Sequence, residues 1–260
     1  MVNYKREGLD VNLSFPVNFN NISAIGTNNL DKTLNKVTYE PRLFMRYDLT
    51  SFWKFSTFAG ITNSFGSIND VYNGFILLSA KNLSSRNTDI QHTRSNFVGS
   101  RLEYRNPLNN IFFNVSYNFN DRTNNVTFLN ELDEASQQFI IKGYNLENNS
   151  KTNSARTELG KYFPKFKTNA SVGYNYSLNN YQQLPANSTP TESSFIDVEG
   201  VNQGVSVKFN NNYFSWLSVD YNANWNFNNT KSPDDARFNN KTNLFNHALS
   251  AYVYPFKNHT

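Results

Sequence analysis

Apolar and polar side chains alternate one by one along several short segments of this chain. Between positions 9 and 20, polar residues and one proline separate six apolar residues, Leu9, Val11, Leu13, Phe15, Val17 and Phe19. Because successive side chains of a strand point to opposite faces of a sheet, this period of two predicts β-strands with one apolar and one polar face. No segment has a helical pattern of comparable strength.

The alternation predicts about ten strands, at 9–19, 37–49, 52–64, 96–105, 113–120, 153–162, 169–178, 205–209, 217–227 and 244–254, with the faces of the last unassigned. Turn residues predict short connections near 50–51, 106–109, 163–165 and 210–212, and long polar loops separate the other strands. Short turns at one end and long loops at the other are typical of outer-membrane barrels. The pattern therefore favours an all-β, antiparallel up-and-down transmembrane β-barrel.

The composition favours a barrel over a soluble sandwich. The 260 residues have a mean hydropathy of −0.62, yet 16% of them are aromatic. A soluble sandwich of this size would concentrate valine, isoleucine and leucine in its core, whereas here phenylalanine and tyrosine dominate and asparagine is abundant. A barrel with a polar lumen needs no large aliphatic core.

Charge and sequence signals exclude other classes of protein. The net charge of +4 is dispersed, so no nucleic-acid partner is predicted. No apolar run approaches the roughly 18 residues of a membrane-spanning helix, and residues 1–10 lack the apolar core of a signal peptide. Without a linker or a repeat, residues 1–260 are predicted to form a single domain.

Two groups of side chains are predicted to have positions that matter for function. Charged residues on the polar face, which we expect to face the lumen, are Glu40, Arg42, Arg46, Asp48, Arg101, Glu103, Arg105, Arg156, Glu158, Lys208 and Asp220. These residues either line a ligand path or, as we favour, form ion-pair ladders that join neighbouring strands. Aromatic residues beside the short turns, which we expect at the membrane interface, are Trp53, Tyr104, Phe112, Tyr162, Phe163, Tyr213, Trp216 and Tyr254.

Catalytic and metal sites are not predicted. The three histidines, His92, His247 and His259, lie in different segments and lack metal-ligand spacing, and no nucleophile elbow or phosphate-binding glycine loop occurs. The chain is therefore predicted not to be an enzyme and to have no cofactor. An enzyme site assembled across strands is a remaining alternative, and it would require loss of a hydrolytic activity when His92 or His247 is replaced by alanine.

Three segments resemble the C-terminal barrel region of TonB-dependent receptor-like outer-membrane proteins of the Bacteroidetes type. These segments are ITNSFGSINDVYNGF at 61–75, RLEYRNPLNNIFFNVSYNFN at 101–120 and GKYFPKFKTNASVGYNYS at 160–177. The closing YVYPFKNHT looks like a turn that leads to another strand. The resemblance covers most of the chain and is specific for the barrel family, but it does not indicate a substrate.

The resemblance implies ligand uptake across the outer membrane of a Gram-negative cell by a barrel of the 22-strand class. It also implies four kinds of partner: outer-membrane lipid, an N-terminal plug, a TonB-type energising protein and a surface lipoprotein. This chain has about ten predicted strands and no recognisable plug, so we expect a fragment that is incomplete at both ends. The alternative is a small self-closing barrel that acts as a pore or adhesin. The loops at 65–93 and 182–199 either capture ligand or are plain solvated connections.

Overall fold

A computed structural model describes residues 1–24, 32–72, 74–133, 137–185, 190–191 and 194–254. Apart from short 3-10 turns, the regular elements in these residues are β1 (Val2–Arg6), β2 (Leu9–Ser14), β3 (Val17–Ala24), β4 (Lys32–Tyr39), β5 (Arg42–Asp48), β6 (Trp53–Phe65), α1 (Ile68–Val71), β7 (Ile76–Ser79), β8 (Asn82–Ser85), β9 (His92–Asn106), β10 (Ile111–Asn124), β11 (Thr127–Asp133), β12 (Gln138–Tyr144), β13 (Asn148–Phe163), β14 (Thr168–Gln183), β15 (Ile196–Phe214), β16 (Leu217–Lys231) and β17 (Asn240–Val253). The predicted all-β class is confirmed.

Eleven of these strands form one large sheet, in the order β1-β2-β5-β6-β9-β10-β13-β14-β15-β16-β17. Every neighbouring pair in it is antiparallel. The chain therefore runs up and down through the sheet, as the alternation predicts. The strand that the sequence did not predict is β1, because its five residues are too few to give a clear period.

Connections within this sheet alternate strictly in length. The short ones lie at 7–8, 49–52, 107–110, 164–167 and 215–216, and each is followed by a longer connection at the opposite end. Gly8 has a φ of 79° in the first short turn, a conformation that glycine adopts without the steric cost of a Cβ atom. The predicted alternation of short and long connections is confirmed.

Prolines break two strands that the alternation predicts to be continuous. The predicted strand at 9–19 is divided at Pro16 into β2 and β3, and the one at 37–49 is divided at Pro41 into β4 and β5. Proline has no N–H to donate to a ladder, so the pairing is interrupted at both positions. The backbone N–H of Glu40 donates to the Pro16 carbonyl over 3.0 Å, which places the two breaks side by side. Strands β3 and β4 form a separate two-stranded hairpin.

The turn predicted at 210–212 is wrong, because β15 continues to Phe214 and the turn lies at 215–216. Asparagines favour turns when their side chains bond to nearby backbone, and the Asn211 side-chain oxygen does accept from the backbone N–H of Tyr213, but the Asn211 amide nitrogen bonds across the sheet. The Asn211 amide donates to the Phe166 carbonyl over 3.0 Å and to Thr168 Oγ1 over 2.6 Å. A register shift between Asn211 and Phe214 accommodates the extra residues.

Two of the long connections fold together at one end of the sheet. The first, between β6 and β9, contains α1, β7 and β8, and the second, between β10 and β13, contains β11 and β12. They form a four-stranded sheet in the order β11-β12-β8-β7, in which β12 and β8 are parallel. We call these five elements the crown. The sequence did not predict them, since their strands are short and pair with residues far away in the chain.

Buried apolar side chains lie at the long-loop end of the molecule. In the described residues they are Ala24, Val71, Ile90, Val126, Leu129, Leu184, Ile196 and Val198. Many apolar side chains of the large sheet are exposed instead, for example Val172 at 53% and Leu249 at 68%. In the described residues the apolar face of the sheet therefore has no protein core against it. A small buried cluster of Ala24, Val71 and Ile90 instead joins the crown to the β3–β4 hairpin, with Ile22 and Leu34 packed against it.

Candidate functional site

The strand register places ten of the eleven predicted charged residues on one face of the large sheet, and the eleventh, Glu40, lies outside the strands, just before β5. Residues that are directly opposite in an antiparallel ladder point to the same face. Arg42 and Arg46 lie opposite Gly60 and Ser56, and the same pairing continues strand by strand to Asp220. We call this side, which also has many serines and asparagines, the polar face. The other side, with Val115, Val172 and Val205 among its residues, is the apolar face.

Ion pairs on the polar face run along strands rather than between them. Four arginines contact an acid two residues away in the same segment, in the pairs Arg42–Glu40 at 3.0 Å, Arg46–Asp48 at 3.5 Å, Arg101–Glu103 at 2.5 Å and Arg156–Glu158 at 3.7 Å. The expected cross-strand ladders are therefore wrong for these residues. An exposed pair within one strand adds little to strand pairing, so its guanidinium and carboxylate can also meet other groups.

Three of the arginines in these ion pairs lie in one row across the polar face. Arg46, Arg101 and Arg156 lie on every second strand, with Ser56 and Ser116 opposite them on the strands between. At a strand spacing of about 4.8 Å, these arginines are roughly 10 Å apart. Their side chains are 48%, 50% and 63% exposed, so three guanidinium groups are accessible along one row.

Glu40 differs from the other predicted charged residues because it is buried and fully bonded. Its Oε1 accepts from the backbone N–H of Asn63 over 3.1 Å, and its Oε2 accepts from Arg42 over 3.0 Å. The carboxylate thus replaces the backbone acceptor that β6 loses where the chain leaves the sheet at Pro41. We assign Glu40 to holding this break, and the other ten charges remain candidates for contact with a ligand.

Three phenylalanine rings lie on the polar face, which the sequence pattern did not predict. Each has an even number in a strand whose apolar face is formed by odd-numbered residues, or an odd number where that face is formed by even-numbered ones. Each ring covers a glycine on the neighbouring strand, in the pairs Phe97–Gly60, Phe58–Gly99 and Phe112–Gly160. Covering a strand glycine with a ring restores the packing that the missing side chain would have supplied. These glycines therefore have a structural role in the polar face.

Replacing Gly160 with alanine is expected to lower the free energy of unfolding by about 1–3 kcal/mol, because the new Cβ would overlap the Phe112 ring. Gly200→Ala is the matched control, since its Cβ would meet only the Asn179 carbonyl oxygen at 3.9 Å. Denaturant titration measures both. An equal loss in the two variants would show that the ring contact is not the cause.

The eight predicted interface aromatics separate into two groups. Trp53 and Tyr104 are opposite each other on the apolar face, with ring centroids 4.8 Å apart. Phe163 lies on the same face, and Tyr213, Trp216 and Tyr254 surround the turn at 215–216. Phe112 and Tyr162 lie on the polar face instead, because they are opposite Gly160 and Asn169. The membrane-interface role stays a prediction for the other six.

The crown is held by a buried carboxylate. Asp70 is 4% exposed; it accepts hydrogen bonds from the Ser67 backbone and hydroxyl and forms an ion pair with Arg86. The Asp70 carbonyl accepts from the backbone and hydroxyl of Thr88, and the Arg86 guanidinium lies 4.7 Å from the centre of the Phe128 ring. Asp70 thus links α1 to β8, and Arg86 extends this link to β11.

A second polar network lies on the β11–β12 hairpin of the crown. Glu131 accepts from Lys142 and from the Tyr144 hydroxyl, each over 2.6 Å. Burial opposes ionisation of Glu131, but these two hydrogen bonds outweigh it and lower the pKa of the carboxyl. Burial, together with the bond to Glu131, raises the pKa of Tyr144 to about 12. Tyr144 therefore stays protonated, and the network is a structural one.

The loop predicted at 65–93 for ligand capture is largely part of the crown. The loop at 182–199 lies only partly within the described residues, since 186–189 and 192–193 fall outside them. Leu184, Ile196 and Val198 in its described part are buried. Ligand capture by these loops therefore stays a prediction.

His92 lies at the long-loop end of β9, where its ring is held on both sides. Lys36 Nζ donates to Nδ1 over 3.1 Å, and with that tautomer Nε2 donates to the Asn63 side-chain oxygen over 3.0 Å. Burial, then the charges of Lys36 and Arg94, lower the pKa of His92. The imidazole is therefore neutral at pH 7 and is held between Lys36 and Asn63.

Acidification is expected to loosen the contact between β4 and β9. Because the pKa of His92 is lowered in the folded state, the stability that it contributes is present above its ordinary value of about 6.5 and is lost as the pH falls. The protection factors of β4 amides, which correct for the slower intrinsic exchange of amides at lower pH, should therefore fall as the pH decreases below about 6.5. The His92→Gln variant should lose this pH dependence, and an unchanged profile in the variant would contradict the assignment.

The other histidines do not complete a catalytic site in the described residues. His247 lies on the apolar face, where its ring is 5.5 Å from that of Phe245. The pairing of β17 with β16 also assigns the two faces of β17. His259 is outside the described residues. Within the described ranges no group of three or more potential metal ligands occurs. No described helix is long and apolar enough to cross a membrane.

Comparison with known proteins gives a fold but no family. No family model and no curated protein matches the sequence. Among solved structures, the chain resembles the ferric-catecholate import receptor Fiu of E. coli K12 in its closed form, with a TM-score of 0.54 and 8% identity. The match covers 97% of this chain and 44% of that receptor, so the chain spans less than half of its length. At this identity the likeness shows the fold alone, which is the antiparallel sheet of an outer-membrane β-barrel.

Proposed function

We propose that residues 1–260 form part of the barrel wall of a TonB-dependent receptor-like protein that binds a ligand and takes it up across the outer membrane. In this proposal the apolar face contacts lipid and the polar face lines the lumen. The observation that carries the proposal is a sheet of eleven antiparallel strands with exposed apolar side chains on one face and charged ones on the other. The likeness to an import receptor supports it.

The partners follow from this arrangement. Lipid is the partner of the apolar face, because no protein core covers it. A plug domain and a TonB-type energising protein are the partners that uptake through a wide barrel needs, and a surface lipoprotein would act at the long-loop end. The crown, which packs with the β3–β4 hairpin around a small buried cluster, is the part of the described chain that we assign to the cell exterior.

The number of strands argues against a small self-closing barrel. In an antiparallel sheet of eleven strands, the first and the last run in the same direction, so β1 and β17 could pair with each other only in parallel. Single-chain bacterial outer-membrane barrels have an even number of antiparallel strands. The described sheet therefore fits a wider barrel, to which an odd number of further strands contributes, better than a closed pore or adhesin.

Single cysteines test the orientation of the two faces, since the chain has no cysteine of its own. Val115→Cys and Ser116→Cys are neighbours on β10 that point to opposite faces. In intact outer membranes, a water-soluble maleimide should label the serine position, and a lipid-phase quencher should reach a fluorophore only at the valine position. The reverse result, or equal labelling, would contradict a lipid-facing apolar side. A native polypeptide with a mass close to 29.9 kDa in the outer-membrane fraction of the cell would favour the self-closing barrel instead.

A further inference from the structure

A cleft of about 530 Å³ opens on the polar face at the short-turn end, between β5, β6 and β9. Side chains of all three strands line it, and Ser51, Phe52 and Pro107 from two short turns close its end. The backbone N–H of Arg105 donates to the Phe52 carbonyl over 2.9 Å, which joins the turn at 49–52 to β9. The cleft is therefore built from strands that are held in register and from turns tied to them.

The cleft has an excess of positive charge. Arg46, Lys54, Arg101 and Arg105 all line it, whereas Glu103 is the one acidic residue in its lining. Counting Asp48, which pairs with Arg46, the four cations meet two carboxylates. Within the described part of the chain, Lys54 and Arg105 form no ion pair. The concave surface thus carries two more positive charges than negative ones, and like charges repel there unless an anion joins them.

The geometry of these cations suits acidic groups. Arg46 and Arg101 lie on either side of Ser56 in one row, roughly 10 Å apart, and Lys54 lies between Asp48 and Glu103 in the next row. Guanidinium groups bind carboxylates through two parallel hydrogen bonds, which gives specificity as well as affinity. A ligand with several acidic groups could contact two or more of these side chains at once.

An apolar ring lies among these charges. Phe44 lines the cleft and is 41% exposed. Arg42 and Arg46 flank it along β5, and Asn12 and Phe58 lie opposite it on the neighbouring strands. Unlike Phe58 and Phe97, it covers no glycine. An exposed ring beside cations gives a flat apolar surface on which the face of another ring can stack.

We infer that this cleft binds a small organic anion in which two or more acidic groups surround a flat apolar or aromatic ring. The inference rests on the proposed function only in placing this cleft inside the lumen. The chemistry of the ligand follows from the side chains that line the cleft. Arg46, Lys54, Arg101 and Arg105 bind its acidic groups, and Phe44 contacts its ring.

Benzene-1,3,5-tricarboxylate is the first probe, measured by calorimetric titration of the intact protein in detergent at low salt. Saturable binding that weakens as salt rises is expected, and the double variant Lys54→Gln, Arg105→Gln should lose about tenfold in affinity. Phe44→Ala should weaken this probe about threefold and leave the affinity for citrate, which has no ring, unchanged. Lys151→Gln with Lys241→Gln removes two charges outside the cleft and should leave both affinities as they are.

Three results would overturn the inference. The first is no saturable binding of the probe to the unmodified protein, as expected if a carboxylate-bearing segment of the protein itself fills the cleft. The second is that the Lys151 and Lys241 changes weaken binding of the probe as much as the Lys54 and Arg105 changes do. The third is that Phe44→Ala weakens binding of citrate as much as binding of the probe. The proposed function is tested separately. Loss of uptake by cells in which the purified protein still binds the probe would overturn the uptake and not the site.

Discussion

Replacing Val205 with arginine is expected to lower the free energy of unfolding of the membrane-inserted protein by about 2–4 kcal/mol. Val205 lies in the middle of the apolar face, opposite Tyr174 on β14 and Trp225 on β16. If this face contacts lipid, the new guanidinium must enter hydrocarbon or distort the bilayer to reach water. Denaturant titration in liposomes, followed by tryptophan fluorescence, measures the loss.

The control for this variant is Asn202→Arg on the same strand. Asn202 lies on the polar face, opposite Ser177 and Asn228, where an added charge stays hydrated. We expect a change within about 0.5 kcal/mol, as for ordinary surface substitutions. A large loss in both variants, or in neither, would contradict the assignment of the apolar face to lipid.

The Asp70→Ala variant is expected to open the crown while leaving the large sheet intact. The change removes the partner of Arg86 and leaves the Ser67 N–H without its acceptor. Loss of a buried ion-pair partner costs about 3–5 kcal/mol, and we expect about 2–3 kcal/mol here because Arg86 is 27% exposed. Limited proteolysis within 74–91 and 137–147 should accelerate by a corresponding factor, with no change in the strands from β13 to β17.

Asp89→Ala is the matched control, because Asp89 is a nearby exposed acid. Its cleavage rate should equal that of the unmodified protein. If Asp70→Ala leaves cleavage of the crown unchanged, the buried carboxylate does not hold the crown together.

The strands that the sequence predicted well are those in which each side chain sees one of two environments. Between positions 113 and 120, Phe, Val and Tyr alternate with Asn and Ser without exception, because one face is apolar and the other polar along this part of β10. The ten charged residues that lie in strands of the large sheet could be assigned to one face for the same reason. Their pairing could not, since a period of two gives the face of a side chain but not its partner.

The errors occur where a contact distant in sequence decides the structure. The three asparagines at 210–212 resemble a turn locally, yet Asn211 bonds to residues of the preceding short turn and of β14. The rings of Phe58, Phe97 and Phe112 interrupt the polar face because glycines on neighbouring strands accept them. The cleft beside Phe44 likewise depends on three strands and two turns, so no single segment could have predicted it.

The parallel pairing of β8 with β12 has a consequence for how this protein can vary among its relatives. External loops usually change length independently, whereas here four residues of one loop, from Asn82 to Ser85, are paired with residues 139–142 of another. A one-residue insertion within either strand would move the side chains beyond it to the opposite face of the crown sheet. Insertions and deletions in the two loops should therefore occur together, and the two segments should diversify as a single inherited unit.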